Sequence, residues 1–407
     1  MSTLYSPAFH PVRGASSRLM ARYFTQRTPP DTSSEQEKKT LVIGASGSIG
    51  QQLLMSLNKE KPMTTIAALH RTPLPEHVAQ RSVCEFGFNI RDKESIRNIF
   101  QKHRDSIDSV WNLAAPLSVD TAKDPASAHD ITVNGMERVL ECMKEFNVKK
   151  LYFSDSIGSY GLQSPRYGAT AAWLGENPTQ DPGSDYGVQK RQCRDLLHDY
   201  ADKHSFDTRF LIIPGVLHTQ ATWGGGTTEY ALDAMQAASS GVHYVCPVPG
   251  ETLLPMIHAD DLIRGMIALM DTDPEKMPAE CRGMAMAGFS FTPIMLFKEI
   301  RKYYPKFTFS FDSESNPNVA KFAHTWPDTL SPHEAADING FAAQKTLAET
   351  VRDVIFAMRE RQQQQQQQHA PARHTTRADD SLRAQPQQGG RLNFLFPVNP
   401  AKKSLVV

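Results

Sequence analysis

Short apolar runs bounded by turn residues alternate along this chain with longer segments whose apolar positions recur every three or four residues, the pattern of strands alternating with amphipathic helices. Strands are predicted at Thr40–Ile43, Thr64–Leu69, Val83–Phe88, Ser109–Ala114, Lys149–Ser154 and Thr208–Ile213. Helices are predicted at Gln51–Asn58, Lys93–His103, Ala128–Phe146 and Tyr186–His204. Such alternation demands a parallel sheet covered on both faces, so the fold class is α/β, a doubly wound sheet with ligands at the carboxyl ends of its strands.

The ends break the pattern. Arg13, Arg18, Arg22 and Arg27 lie among serines and threonines with no acid before Asp31, the composition of an organelle transit peptide, which predicts mitochondrial import of residues 1–37. From Arg361 the chain runs through Gln362–Gln368 into a mixed polar stretch too polar to bury a core, which predicts a flexible tail over 361–407. Lysine plus arginine equals aspartate plus glutamate at 44 each, so no charge excess points to nucleic acid. No apolar run approaches the ~20 residues that span a bilayer, which predicts a soluble protein without a membrane partner. The 5 cysteines show no Cys-x-x-Cys spacing and read as packing residues of a reducing compartment. His258-Ala-Asp260-Asp261 has metal-ligand vocabulary, but Asp260 or Asp261 reads better as the cap of a helix starting at Leu262; no metal is expected.

Two motifs carry chemistry. Gly44-Ala-Ser46-Gly47-Ser48-Ile49-Gly50 follows the first strand and opens the first helix. Its glycines allow a tight turn and a close backbone approach to a pyrophosphate, which then sits on the positive end of the helix. Tyr186 and Lys190 stand four apart and so share a helix face, with Ser156 thirty residues before Tyr186. A phenol is a poor base near neutrality, and an adjacent ammonium favours its ionised form. Read alone, Tyr-x-x-x-Lys is also an ordinary stacked helix pair.

Taken together with Asn112-Leu113-Ala114-Ala115, these motifs resemble the extended short-chain dehydrogenase/reductase superfamily over roughly residues 39–360. The resemblance implies a Rossmann domain at 38–215 and a smaller substrate-binding region at 216–360 with returning Rossmann elements. It implies that Ser156, Tyr186 and Lys190 are catalytic. It also implies a dinucleotide held by Gly44, Ser46, Gly47, Ser48, Ile49, Gly50, Arg71, Asn89, Leu113, Ala114, Lys190 and Pro214. Asn134 falls where the superfamily has an asparagine ordering a water that leads to the lysine. Beyond the second strand stands Leu69-His70-Arg71, where proteins preferring NAD carry an acid for the ribose hydroxyls. Arg71 could receive the extra phosphate of NADP or lie against the adenine, and on these residues alone the two cofactors stand level.

Further along, Trp223-Gly-Gly-Gly-Thr227-Thr228 offers bare backbone and two hydroxyls, either a helix cap or a surface for a small charged head group. With Leu113–Ser118, Leu254–Ile257 and Thr325-Trp326-Pro327, it resembles the L-threonine 3-dehydrogenases of the superfamily. That resemblance implies oxidation of L-threonine to 2-amino-3-oxobutanoate on the way to glycine, with NAD as cofactor and NADP not excluded. Ser118, Ser156, Tyr186, Thr227, Thr228 and Trp326 would bind the substrate, and a homodimer would form through helices of the dinucleotide domain. Two other readings stand beside it: another extended short-chain enzyme, such as a nucleotide-sugar epimerase or NADP-linked reductase, and a non-enzymatic dinucleotide sensor.

Overall fold

The computed structural model describes residues 37–177, 181–220, 224, 226–278 and 282–368. Its strands are β1 (Lys39–Ile43), β2 (Thr65–Leu69), β3 (Val83–Phe86), β4 (Ile107–Asn112), β5 (Lys150–Ser156) and β6 (Asp207–Ile213). They continue with β7 (Gly215–Leu217), β8 (Tyr244–Cys246), β9 (Leu254–His258), β10 (Gly283–Ala285), β11 (Phe289–Phe291) and β12 (Phe309–Phe311). Seven of them form one parallel sheet in the order β10-β6-β5-β4-β1-β2-β3. The order reverses between β1 and β4, and a crevice opens beyond the strand ends at such a switch point.

Burial on both faces explains why the strands read as unbroken apolar runs. Leu41, Ile43, Ile66, Val110 and Phe153 pack on one face against Ile96, Ile131, Val139 and Leu140 of two helices, Lys93–Lys102 and Pro125–Glu145. Val42, Ala67, Trp111 and Tyr152 pack on the other against Leu53 and Leu54 of the helix Ser48–Leu57 and Leu262 and Met266 of the helix Ala259–Asp271. A second, smaller part holds two short sheets, β11-β9-β7 and β12-β8, with helices Tyr230–Ser240, Pro293–Arg301, Pro317–Thr325 and Leu347–Gln368.

Element ends moved for local reasons. The long helix begins at Pro125, not Ala128, because Asp124 caps the Ser127 amide and proline suits the first helical position. The cap expected from Asp260 or Asp261 is wrong. The helix starts at Ala259, and His258 Nδ1 accepts the Asp260 amide at 3.1 Å. Asp261 is buried and instead accepts the Gln344 and Lys345 amides at 2.9 and 2.8 Å.

The tail expected from Arg361 is also corrected, because the last helix runs on through the glutamines to Gln368. Val351, Val354, Ile355 and Met358 anchor it in the core, and glutamine propagates an existing helix at little cost. Arg361 donates to the Thr219 carbonyl, and Gln362 donates to Ser239 Oγ at 2.7 Å. Residues 1–36 of the expected presequence and 369–407 of the tail lie outside the described residues, as do Trp223, Gly225 and Cys281. Cys142, Cys193 and Cys246 are buried free thiols, and burial pushes Cys193 up to about 12. Among the described residues, no helix is long and apolar enough to cross a membrane.

Candidate active site

A cleft of about 340 Å³ opens at the carboxyl ends of β1, β2, β4, β5 and β6. On one side of the switch point lie the turn Gly44–Gln51 and the ends of β2 and β4. On the other lie Ser118, Ser156, Tyr186, the segment Pro214–Gln220, Thr227, Thr228 and Trp326.

The first side is made by steric necessity. Gly44 sits at φ 81°, in the left-handed region, and a Cβ there would lie 3.0 Å from the Ala114 nitrogen. A Cβ on Gly50 would lie 2.4 Å from the Gly44 carbonyl oxygen, so only glycine lets the helix Ser48–Leu57 start this close to the turn. That helix is capped by Gly47, which has no side chain to occupy the first-turn amides. At the end of β2, His70 and Arg71 line the cleft, and burial together with the Arg71 charge lowers the His70 pKa.

Ser156, Tyr186 and Lys190 all line the cleft on its other side. Ser156 ends β5, and its Oγ accepts the Gly158 amide at 3.1 Å. Tyr186 opens the helix Asp185–His204, capped by Ser184, whose hydroxyl accepts the Gly187 amide at 3.2 Å. Two glycines bring the helix in: a Cβ on Gly187 would lie 1.9 Å from the Gly158 carbonyl oxygen, and one on Gly158 would lie 3.0 Å from the Tyr186 ring. Lys190 is 3% exposed; its Nζ donates to the Ser154 carbonyl at 2.7 Å and lies 5.4 Å from the Tyr186 ring centroid. A turn further on, Arg194 pairs with Asp155 at 2.7 Å, and Asp155 also accepts Ser159 Oγ at 2.5 Å and the Ser156 amide at 2.8 Å. Both charges are buried, so each satisfies the other where water cannot.

On the substrate side, the Ser118 and Thr227 hydroxyls bond each other at 3.0 Å, and the Thr227 amide donates to Ser118 Oγ at 3.2 Å. Both side chains are buried, so they tie two distant segments together. Thr228 packs against Gly215, where a Cβ would lie 2.6 Å from the threonine Cβ. Glu229 accepts the Gly224 and Gly226 amides at 3.2 and 3.0 Å and folds the glycine run back. Trp326 is 4% exposed, and its indole Nε1 is buried without a hydrogen-bond partner among the described residues. His218 Nδ1 accepts the Gln220 amide at 3.3 Å; burial, with Arg361 and His258 nearby, pushes its pKa down to about 4. Asp120 also lines the cleft, paired at 2.7 Å with the exposed Lys123.

Residues 40–279 match the NAD dependent epimerase/dehydratase family. The chain belongs to that family. An uncharacterized epimerase/dehydratase of Staphylococcus aureus is 29% identical over 325 residues, 80% of this chain and 98% of that protein. Among solved structures, a partial consensus L-threonine 3-dehydrogenase is similar with a TM-score of 0.71 and 29% identity, covering 79% of this chain and 99% of that one. The holo form of a GalE-like L-threonine dehydrogenase from Cupriavidus necator gives 0.70 and 28%, with 79% and 99% covered.

The cofactor of this epimerase/dehydratase family member is NAD. The turn fits it, since Gly44, Gly47 and Gly50 line the cleft where the helix Ser48–Leu57 begins, and Gly47 puts no side chain over the first-turn amides. Asn89, expected to help hold the dinucleotide, is not among the residues that line the cleft. Its carboxamide oxygen accepts the Arg91 amide at 3.1 Å in a local turn, and Phe88 and Ile90 line the cleft in its place. Asn134 donates to the Asp130 carboxylate at 3.2 Å and is likewise not among the lining residues. The other expected site residues all line the cleft.

Sequence reasoning missed Asp120, Asp155, Arg194 and His218. Arg194 could have been found, because it continues the four-residue spacing of Tyr186 and Lys190. Among the described residues, no three His, Cys, Asp or Glu side chains gather as a metal set.

Proposed function

We propose that this chain oxidises the secondary alcohol of L-threonine to 2-amino-3-oxobutanoate with NAD. The observation that carries this reading is the charge of the substrate side. Among the described residues there, Lys190 is the sole lysine or arginine lining the cleft, and it is committed to the Ser154 carbonyl. His218 is neutral near pH 7, its pKa being about 4. Asp120 and Glu229 are acidic. A nucleotide diphosphate needs cations or open amides for its phosphates, whereas a small amino acid needs one carboxylate for its ammonium. The likeness to two threonine dehydrogenase structures supports the same choice.

In this reading Ser156 and Tyr186 hold the substrate hydroxyl, and Tyr186 removes its proton through the phenol oxygen. Lys190 places its positive charge below the ring. NAD, when bound, supplies the hydride acceptor. Asp120 receives the ammonium, and the Trp326 indole N–H and Thr228 hydroxyl face the carboxylate. The arginine-bearing segment before Asp31 supports action in mitochondria, and the superfamily resemblance supports a homodimer.

Purified protein with L-threonine and NAD should form reduced nicotinamide, followed by absorbance. Changing Tyr186 to Phe should cut turnover by about 10³-fold, within the usual worth of a positioned general base, while NADH binding measured by fluorescence is retained. An inactive unsubstituted chain would sink the threonine reading.

A further inference from the structure

The end of β2 carries a cation where selection for NAD calls for an acid. In that selection a carboxylate beyond the second strand takes the adenosine ribose hydroxyls, and its charge repels a phosphate attached to them. Here Leu69 closes the strand. It is 1% exposed and shares a buried apolar cluster with Leu53, Leu54, Leu74 and Val78, so its side chain packs into the core rather than toward a ligand. Beyond it come His70, Arg71 and Thr72, all three of which line the cleft.

The register of the sheet brings this segment to the glycine turn. Ile43, the last residue of β1, pairs with Ala68, so the turn from Gly44 and the segment after Leu69 leave the sheet side by side. Ser46 lies on that turn and also lines the cleft. Its carbonyl accepts Gln51 Nε2 at 2.7 Å, which ties it to the first helix, while its hydroxyl, like that of Thr72, has no partner among the described residues. Phe88, whose amide donates to the Leu69 carbonyl at 3.0 Å, and Ile90 add apolar surface suited to an adenine ring.

Charge decides what this corner accepts. Arg71 is exposed, and its guanidinium makes no ion pair or hydrogen bond among the described residues. His70 is neutral near pH 7, because burial and the Arg71 charge lower its pKa. The acids that line the cleft, Asp120, Asp155 and Glu229, all stand on the substrate side. Glu85, the acid on β3 opposite Ala68, is occupied by Lys102 at 2.8 Å and His103 at 2.7 Å. One guanidinium, two hydroxyls and no carboxylate suit an anion, and the planar fork of arginine matches two phosphate oxygens at once.

We propose that Arg71, with Ser46 and Thr72, forms a subsite for a 2′-phosphate, so that the chain takes NADP as well as NAD. NAD keeps its place because the same two hydroxyls serve the unphosphorylated ribose, and no buried carboxylate is left unpaired when the phosphate is present. Arg71 is then the residue that sets the balance between the two cofactors.

The test is fluorescence titration of the full chain with NADPH and with NADH. The two dissociation constants should lie within about tenfold of each other, since the phosphate meets a cation and no opposing acid. Arg71→Ala should raise the ratio of the NADPH constant to the NADH constant about ten- to hundredfold, the worth of hydrogen bonds to a charged group, and Arg71→Lys should recover part of that change. Binding of NADH without measurable binding of NADPH would overturn the subsite, as would failure of both to bind. An unchanged ratio in Arg71→Ala would overturn it too, because the phosphate would then be held elsewhere. Neither titration contains threonine, so a failure of the substrate reading leaves this outcome as it stands.

Discussion

The glycine turn on the dinucleotide side of the cleft is one unbroken stretch, Gly44 to Gln51, whereas on the substrate side Ser118 meets Thr227 across 109 positions and Arg166 meets Trp326 across 160. In the first case the covalent chain itself sets the shape: a left-handed glycine, a helix start and a carbonyl 2.4 Å from where a side chain would stand. In the second, packing and hydrogen bonds between separate segments set it. The same cleft therefore joins a surface that tolerates almost no substitution to one that is adjustable piece by piece. That division suits a family in which one dinucleotide serves many substrates.

The contrast can be broken most sharply at Gly50. Gly50→Val should weaken NADH affinity by about two orders of magnitude or more, since backbone must move to admit the side chain; fluorescence titration checks it. If affinity survives, the turn is more pliant than its contacts imply. On the opposite side, Asp120→Asn should raise KM for L-threonine about tenfold, the scale of one charge-assisted contact, with NADH affinity unchanged. An equal effect on a substrate analogue lacking the ammonium would remove Asp120 from that role.

Stability rather than affinity is the readout for pH. In His218 the folded-state pKa lies at about 4 against an ordinary 6.5, so the unfolded chain takes up a proton first. Stability is then complete above 6.5 and falls as the pH drops towards 4, by ~3 kcal/mol in all. Asp130, on the helix Pro125–Glu145, is held down to about 2 from 3.8, chiefly by hydrogen bonds from Arg138 and Arg91. Its contribution is present above 3.8 and lost below, and with a quarter of the side chain exposed it amounts to ~1 kcal/mol. Urea midpoints measured against pH should show both windows, and His218→Phe should flatten the upper one alone.

The same division governs how much of the molecule is legible in its sequence. The six core strands and the helix bearing Tyr186 were legible because a sheet buried on both faces writes its period into the chain, and the glycine turn because its geometry excludes other residues. For Asn89, position alone does not say that its carboxamide oxygen accepts an amide of its own turn. Asp261 misled in the same way: it looks like a helix cap, yet its partners Gln344 and Lys345 lie far along the chain. Asp120 gave no local signal, because whether it lines the cleft depends on which segments lie opposite.

The last helix has a consequence of another kind. Its contacts to the body of the protein beyond Met358 include Arg361 to Thr219 and Gln362 to Ser239, at the root of the glutamine run. A homopolymer carries no landmark in its own sequence, so contacts such as these at its root set where along the helix the run begins. Each added residue moves the end of the helix by ~1.5 Å along its axis. The register of the helix is thus set at its root, beside the cleft wall that carries His218.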